Sequence, residues 1–177
     1  MTHARGHSQT FQAGAKALLL AGLVMLGGCD RHKESDLRVM AEAWFDLGET
    51  LYFQSERNCS AAVFEARSDM IKASLRIEND VAHGVARSGA DGPLALRVAG
   101  QTADGVADAI MKADKPLGVE VLVASTQGKF CMSQPARNTF FKALAEPHTV
   151  LVYDRPQKVL AILVPTQGVV LIASGEG

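Results

Sequence analysis

The chain has 177 residues, a formal net charge of −1 and 47% hydrophobic residues, a size that suits one domain with a real core. Arginine and lysine are scattered singly and never form a long basic run, which excludes the electrostatic footprint of a nucleic-acid binder and of a polybasic lipid patch. All the acidic residues lie beyond Cys29, so the charge balance after that point is mildly acidic.

Taken in chain order, the first element is a short apolar run. Arg5 and Lys16 precede Ala17 to Leu26, which is too short to cross a hydrocarbon core of about 30 Å. Leu26-Gly27-Gly28-Cys29 follows directly. The arrangement resembles the export signal of bacterial lipoproteins, with those four residues as the lipobox. A peptidase must bring extended backbone against its catalytic groups, and Gly27 and Gly28 satisfy the need for small residues there, although Ala or Ser is commoner than Gly at the Gly27 position. An ordinary secretory signal wants a small residue where Leu26 stands, whereas the lipobox wants Leu. The resemblance implies that residues 1–28 are removed, that the Cys29 thiol carries a diacylglycerol, and that the new amino terminus receives a palmitate-type acyl chain. It also implies a place in the cell envelope facing the periplasm. Asp30 resembles the residue that retains some lipoproteins at the inner membrane, which favours that membrane over the outer one.

Residues 29–35 form a polar tether carrying the lipid, and residues 36–177 are expected to be one α+β domain. Leu37, Met40, Ala41, Trp44, Leu47 and Leu51 recur every three or four positions, which predicts an amphipathic helix over 36–53 with Trp44 in its core stripe. Within it, Glu49 to Ser55 (ETLYFQS) matches the recognition sequence of a viral protease, a coincidence of native sequence that opens a route to clipping. Cys59 to Ala66 predicts a buried strand, Asp69 to Ile77 a helix, and Ser88 to Pro93 a surface loop before a strand at Leu94 to Ala99. Thr102 is an N-cap for a helix that Pro116 ends. Leu117, Val119, Val121 and Val123 alternate, which predicts a strand over 117–124, a buried helix being the alternative. A helix opens at Pro135 and stops at Pro147. Thr149 to Tyr153, Val159 to Val164 and Val169 to Ala173 predict an antiparallel three-strand meander. The whole is expected to be a mixed sheet with helices packed on it.

With Cys29 used by the lipid, Cys59 and Cys131 are left as two thiols in an oxidising compartment, either as a disulfide or as two separate buried thiols. A bridge would close a loop of roughly 70 residues and contribute about 4 kcal/mol. His83 and His148 stand at no ligand-like spacing to these cysteines, so no metal and no cofactor is expected. The loop Gly100 to Gly105 enters a helix as an anion-binding loop does, but Val106 and Ala107 stand where a phosphate loop needs Lys and Ser or Thr, which makes it a capped turn. Ser55, Ser60, Ser125 and Ser133 lie in no nucleophile elbow, so no catalytic residue is assigned. The expectation is a membrane-anchored, non-catalytic periplasmic module that binds a protein or small-molecule partner. The alternative is a lipid-anchored hydrolase whose triad is scattered through the sequence.

Overall fold

A computed structural model describes residues 31–88 and 92–176. The residues expected to form an export signal, Cys29 and Asp30 lie outside them, as does part of the loop expected between Ser88 and Pro93. The elements are α1 Glu34–Glu42, β1 Phe45–Ser55, β2 Cys59–Ile71, α2 Val81–Ser88, β3 Pro93–Leu96, α3 Ala103–Ala113, α4 Lys115–Gly128, α5 Gln134–Ala145, β4 Val150–Asp154, β5 Val159–Val164 and β6 Val169–Gly175. The six strands form one sheet in the order β1-β2-β6-β5-β4-β3. This is an α+β domain, and its C-terminal strands form the expected meander.

Every pair of neighbouring strands is antiparallel, so the sheet is not mixed. The reason lies in the block of helices between β3 and β4. A bridge between Thr102 and Pro147 sets the start of α3 beside the end of α5, so the chain returns to the end of the sheet from which it left. The next strand then has to run back along β3. The one parallel pairing among the described residues is an isolated bridge between Glu78 and Leu96 at the β3 edge.

Three local expectations change with it. The helix expected over 36–53 ends at Glu42, and Phe45–Ser55 is a strand instead. Aromatic and β-branched Thr50, Tyr52 and Phe53 fit a pleated surface, and they gain a partner in β2, opposite Phe64, Val63 and Ala62. That pairing also engages the protease-like segment. The helix expected at 69–77 is absent because β2 runs on to Ile71, opposite Phe45. The strand expected at 117–124 is part of α4. Asp114 caps it by accepting from the Leu117 N–H (3.0 Å), and Pro116 sits in its first turn rather than ending α3. Leu117, Gly118, Val121, Ala124 and Gly128 are its buried positions, and the steps of four, three and four from Leu117 through Val121 and Ala124 to Gly128 fall on one face only in a helix.

Two apolar cores flank the sheet. On one face Ala61, Val63, Leu171, Ala173, Leu160 and Ile162 pack with Ile110, Val121 and Phe140 of α3, α4 and α5. On the other Ala62, Phe64, Val170, Ile172, Ala161 and Leu163 pack with Leu37 and Ala41 of α1, with Trp44, Phe45 and Leu47, and with Leu75 from the crossover after β2. Successive residues of β5 and β6 thus enter opposite cores, which is why both strands are buried along their whole length.

Candidate functional site

Two sites stand out, one at the entry of the chain beside β2 and β6 and one at the β3 edge. The first is where the chain enters the fold. The β1–β2 turn, the β4–β5 turn and the end of β6 share one end of the sheet, and Arg31 and His32 dock there. The Arg31 N–H donates to the Glu56 carbonyl (3.0 Å), its Nε donates to Ser174 Oγ (2.7 Å), and its guanidinium meets Glu176 at 3.5 Å. The His32 N–H donates to Ser55 Oγ (3.2 Å), and its Nδ1 lies 2.8 Å from Ser60 Oγ. Part of the segment expected to be a loose tether is therefore fixed to the sheet. Ser60 and Ser174 face one another across β2 and β6 and are fully buried; the Ser174 hydroxyl also donates to the Lys158 carbonyl (3.0 Å), while His32 supplies the partner without which the Ser60 hydroxyl would cost free energy.

A Ser–His pair invites a catalytic reading, but the Ser60 hydroxyl is closed to any substrate in this arrangement. The pair works as a latch. Burial holds the His32 imidazole below its ordinary value of 6.5, with Arg31 adding to the shift and Asp36 opposing it. A group with a lowered folded-state value contributes stability that is complete above the unfolded value and is lost as pH falls through the folded one. Acidification below about 6.5 therefore weakens the latch. Melting curves at pH 7.5 and pH 5.0 test this: the drop in Tm is expected to be smaller for His32→Gln than for wild type, and equal drops would count against it.

The two remaining cysteines come together nearby. Cys59 opens β2, and Cys131 sits in a short 3-10 turn (Lys129–Cys131) after α4; they form a disulfide with Cα atoms 5.8 Å apart. The Tyr52 hydroxyl donates to the Cys131 carbonyl (2.7 Å) and accepts from the Ser133 N–H (2.9 Å), tying the same turn to β1. Glu56 stands beside both sulfurs in what has the composition of a metal cluster. The sulfurs are bonded to each other and offer no thiolate, so the chemistry of the donor set does not suit a metal.

The second site is a cleft of about 190 Å³ at the β3 edge, floored by Leu75, Gly84, Leu94 and Ala95. The crossover chain is pinned there, the Glu78 N–H donating to Ala95 O (2.9 Å) and the Arg97 N–H to Glu78 O (3.0 Å). Glu78 Oε1 lies 3.0 Å from Arg76 Nε and 3.4 Å from Arg87 Nε, yet it is buried without an aligned hydrogen bond. Both guanidiniums are mostly exposed and keep further N–H groups for a ligand. Arg76, Glu78 and Arg87 also line a more open groove of about 490 Å³ together with His83 and Ala86. A cleft below about 300 Å³ that adjoins such a groove suits a side chain or a peptide end with its flanking chain. The lip offers guanidinium N–H groups to an acid and a carboxylate oxygen to a donor, over an apolar floor.

The other sequence candidates stay apart. His148 is exposed at the turn after Pro147 with φ 67°, and His83 is exposed on α2. Ser133 caps α5, and Ser125 is half-buried on α4. The Gly100–Gly105 loop is a capped turn, Gly100 at φ 74° leading into Thr102, whose hydroxyl accepts from the Gly105 N–H (3.1 Å). Arg31 and His32 were missed because their partners lie far off in sequence. The Arg76–Glu78–Arg87 group is local, and the alternation of Arg76 and Glu78 along an extended segment was the available sign.

Compared with known proteins, the chain matches no family model, no curated protein and no solved structure.

Proposed function

We propose that the chain is a lipid-anchored envelope protein, cleaved before Cys29 and acylated there, whose domain faces the periplasm from the inner membrane and binds a partner protein. The observation that carries this reading is the division of the cysteines. Cys59 and Cys131 are consumed by a disulfide, which belongs to an oxidising compartment, and Cys29 remains as the single unpaired cysteine, placed in the sequence context that lipidation requires. Among the described residues no helix is long and apolar enough to cross a membrane, so attachment in this reading rests on the acyl chains. Each buried methylene contributes about 0.8 kcal/mol, and two or three chains hold a domain of this size stably. Metabolic labelling with a fatty-acid analogue tests it: Cys29→Ser loses all label, because a hydroxyl cannot replace the thiol in diacylglyceryl transfer. Equal labelling of variant and wild type rejects the reading.

Binding, in this account, uses the cleft at the β3 edge. Its paired arginines over an apolar floor suit an acidic side chain or the carboxyl end of a peptide segment. The triple substitution Arg76→Ala, Glu78→Gln, Arg87→Ala is expected to abolish complementation of a deletion strain while shifting Tm by only about 2–4 °C, since the two guanidiniums are exposed and the buried side chain at position 78 then carries no charge that needs them. Full complementation would remove the cleft from the account.

A further inference from the structure

α4 is buried on one side and apolar on the other. Val119 and Leu122 are exposed at 43% and 55%, and Phe130, in the turn that continues the helix, at 68%. They follow one another at three and eight residues, so they line one stripe along the outer side of the helix. Lys115 is exposed at its start, and Lys129 at its end holds its ammonium 5.8 Å from the Phe130 ring. The carboxylates of this helix and its cap are already engaged: Asp114 caps the first turn, and Glu120 is held in a two-pronged pair by Arg155 (2.7 and 2.9 Å). What remains is an apolar stripe with a cation at each end.

Its place in the fold says what covers it. Arg155 belongs to the β4–β5 turn, Gly128 packs on Ala173 and Ser174 near the end of β6, and Cys131 is bonded to Cys59 at the start of β2. α4 therefore crosses the strands close to the end where Arg31 docks, on the face of the sheet opposite the Ser60 and Ser174 hydroxyls that the chain entry engages. A Cβ on Gly128 would meet Ala173 Cα and Ser174 N at 2.9 Å, so this glycine lets the helix sit directly on the strand ends. Cys29 precedes Arg31 by two residues, a span of at most about 7 Å. A lipid at Cys29 brings this end of the domain to the bilayer surface.

From the stripe and the docked entry of the chain together, we infer that the outer side of α4 and Phe130 rest in the headgroup region of an anionic phospholipid bilayer, fixing the orientation of the domain on the membrane. The inference rests on Cys29 being the lipid anchor. Interfacial helices bury apolar side chains at the acyl boundary while lysines at the flanks reach acidic headgroups, which is the distribution found here.

The test uses the full chain, purified from membranes with its lipid and reconstituted into vesicles of phosphatidylethanolamine and phosphatidylglycerol brominated in their acyl chains. Wild type carries only Trp44, which is buried in the domain. Phe130→Trp adds a reporter on the stripe, and Leu122→Trp supplies a second. The inference expects brominated lipid to quench the added tryptophan at least two-fold relative to unbrominated vesicles, wild type to change little, and Leu122→Glu to reverse the quenching of Trp at position 130. Unquenched reporters at both positions, in protein whose mass shows acylated Cys29, overturn the inference alone; shielding from iodide without quenching by bromine would assign the stripe to a protein and overturn it equally. A mass without acyl groups overturns both the anchor and the surface built on it.

Discussion

Replacing Cys59 and Cys131 together by Ala is expected to lower stability by about 4 kcal/mol. The two positions are 72 residues apart, so the bridge closes a long loop and removes much of the freedom of the unfolded chain. Both sulfurs are buried against the core that α3, α4 and α5 share with the sheet, so the variant also loses some packing. At roughly 2–4 °C per kcal/mol for a domain of this size, Tm falls by about 10 °C. Urea unfolding gives the check. A lower midpoint with a steeper slope is expected, because the unbridged chain exposes more surface when it unfolds. An unchanged midpoint would mean that the bridge restrains nothing the rest of the fold does not already hold.

Phe64→Ala is expected to cost 3–5 kcal/mol, on the order of the cost of emptying any fully buried phenyl site. Phe64 lies on β2 with no solvent exposure, in the core beneath α1, and the Arg38 guanidinium of that helix sits 4.9 Å above its ring. Arg38 is itself held by the Gly48 carbonyl (3.1 Å) and by Thr50 Oγ1 (2.7 Å), so the cation is fixed over the ring rather than free in solvent. Removing the ring thus opens a cavity and releases the contact that seats α1 on the hairpin. Arg38→Ala alone is expected to cost about 1 kcal/mol, the scale of a partly exposed cation–π contact, and Phe64→Leu less than about 1.5 kcal/mol. Chemical denaturation of the three variants separates the two contributions.

The C-terminal half of the fold was legible because its signals agree. Runs such as Val159 to Val164 are rich in β-branched residues and are bounded by turn formers, and Thr102 announces α3 by the same side-chain cap that the structure shows. The N-terminal half was not. Leu37 to Leu51 carries a three-and-four spacing that continues past the true end of α1, and only the pairing of Tyr52 and Phe53 with β2, a contact remote in sequence, decides for the strand. In α4, valines at alternate positions mimic a strand, while the cap at Asp114 and the buried spacing from Leu117 to Gly128 carry the helix.

For the sites, the cysteine pair was reachable by counting, since assigning Cys29 to a lipid, as the lipobox resemblance implies, leaves two. The latch was not. Arg31 meets Ser174 across 143 residues and His32 meets Ser60 across 28, and periodicity carries no information about such partners. A polar run beside a lipidation motif reads as linker until the buried serines that need its donors are located.

The claim that the domain starts at a lipid is tested most directly by the N-terminal peptide of the protein isolated from membranes. Digestion after Arg31 and mass spectrometry are expected to return Cys29-Asp30-Arg31 carrying a diacylglycerol on sulfur and an acyl chain on the amino group. A peptide that extends upstream through Gly28, or an unmodified Cys29, would contradict the account.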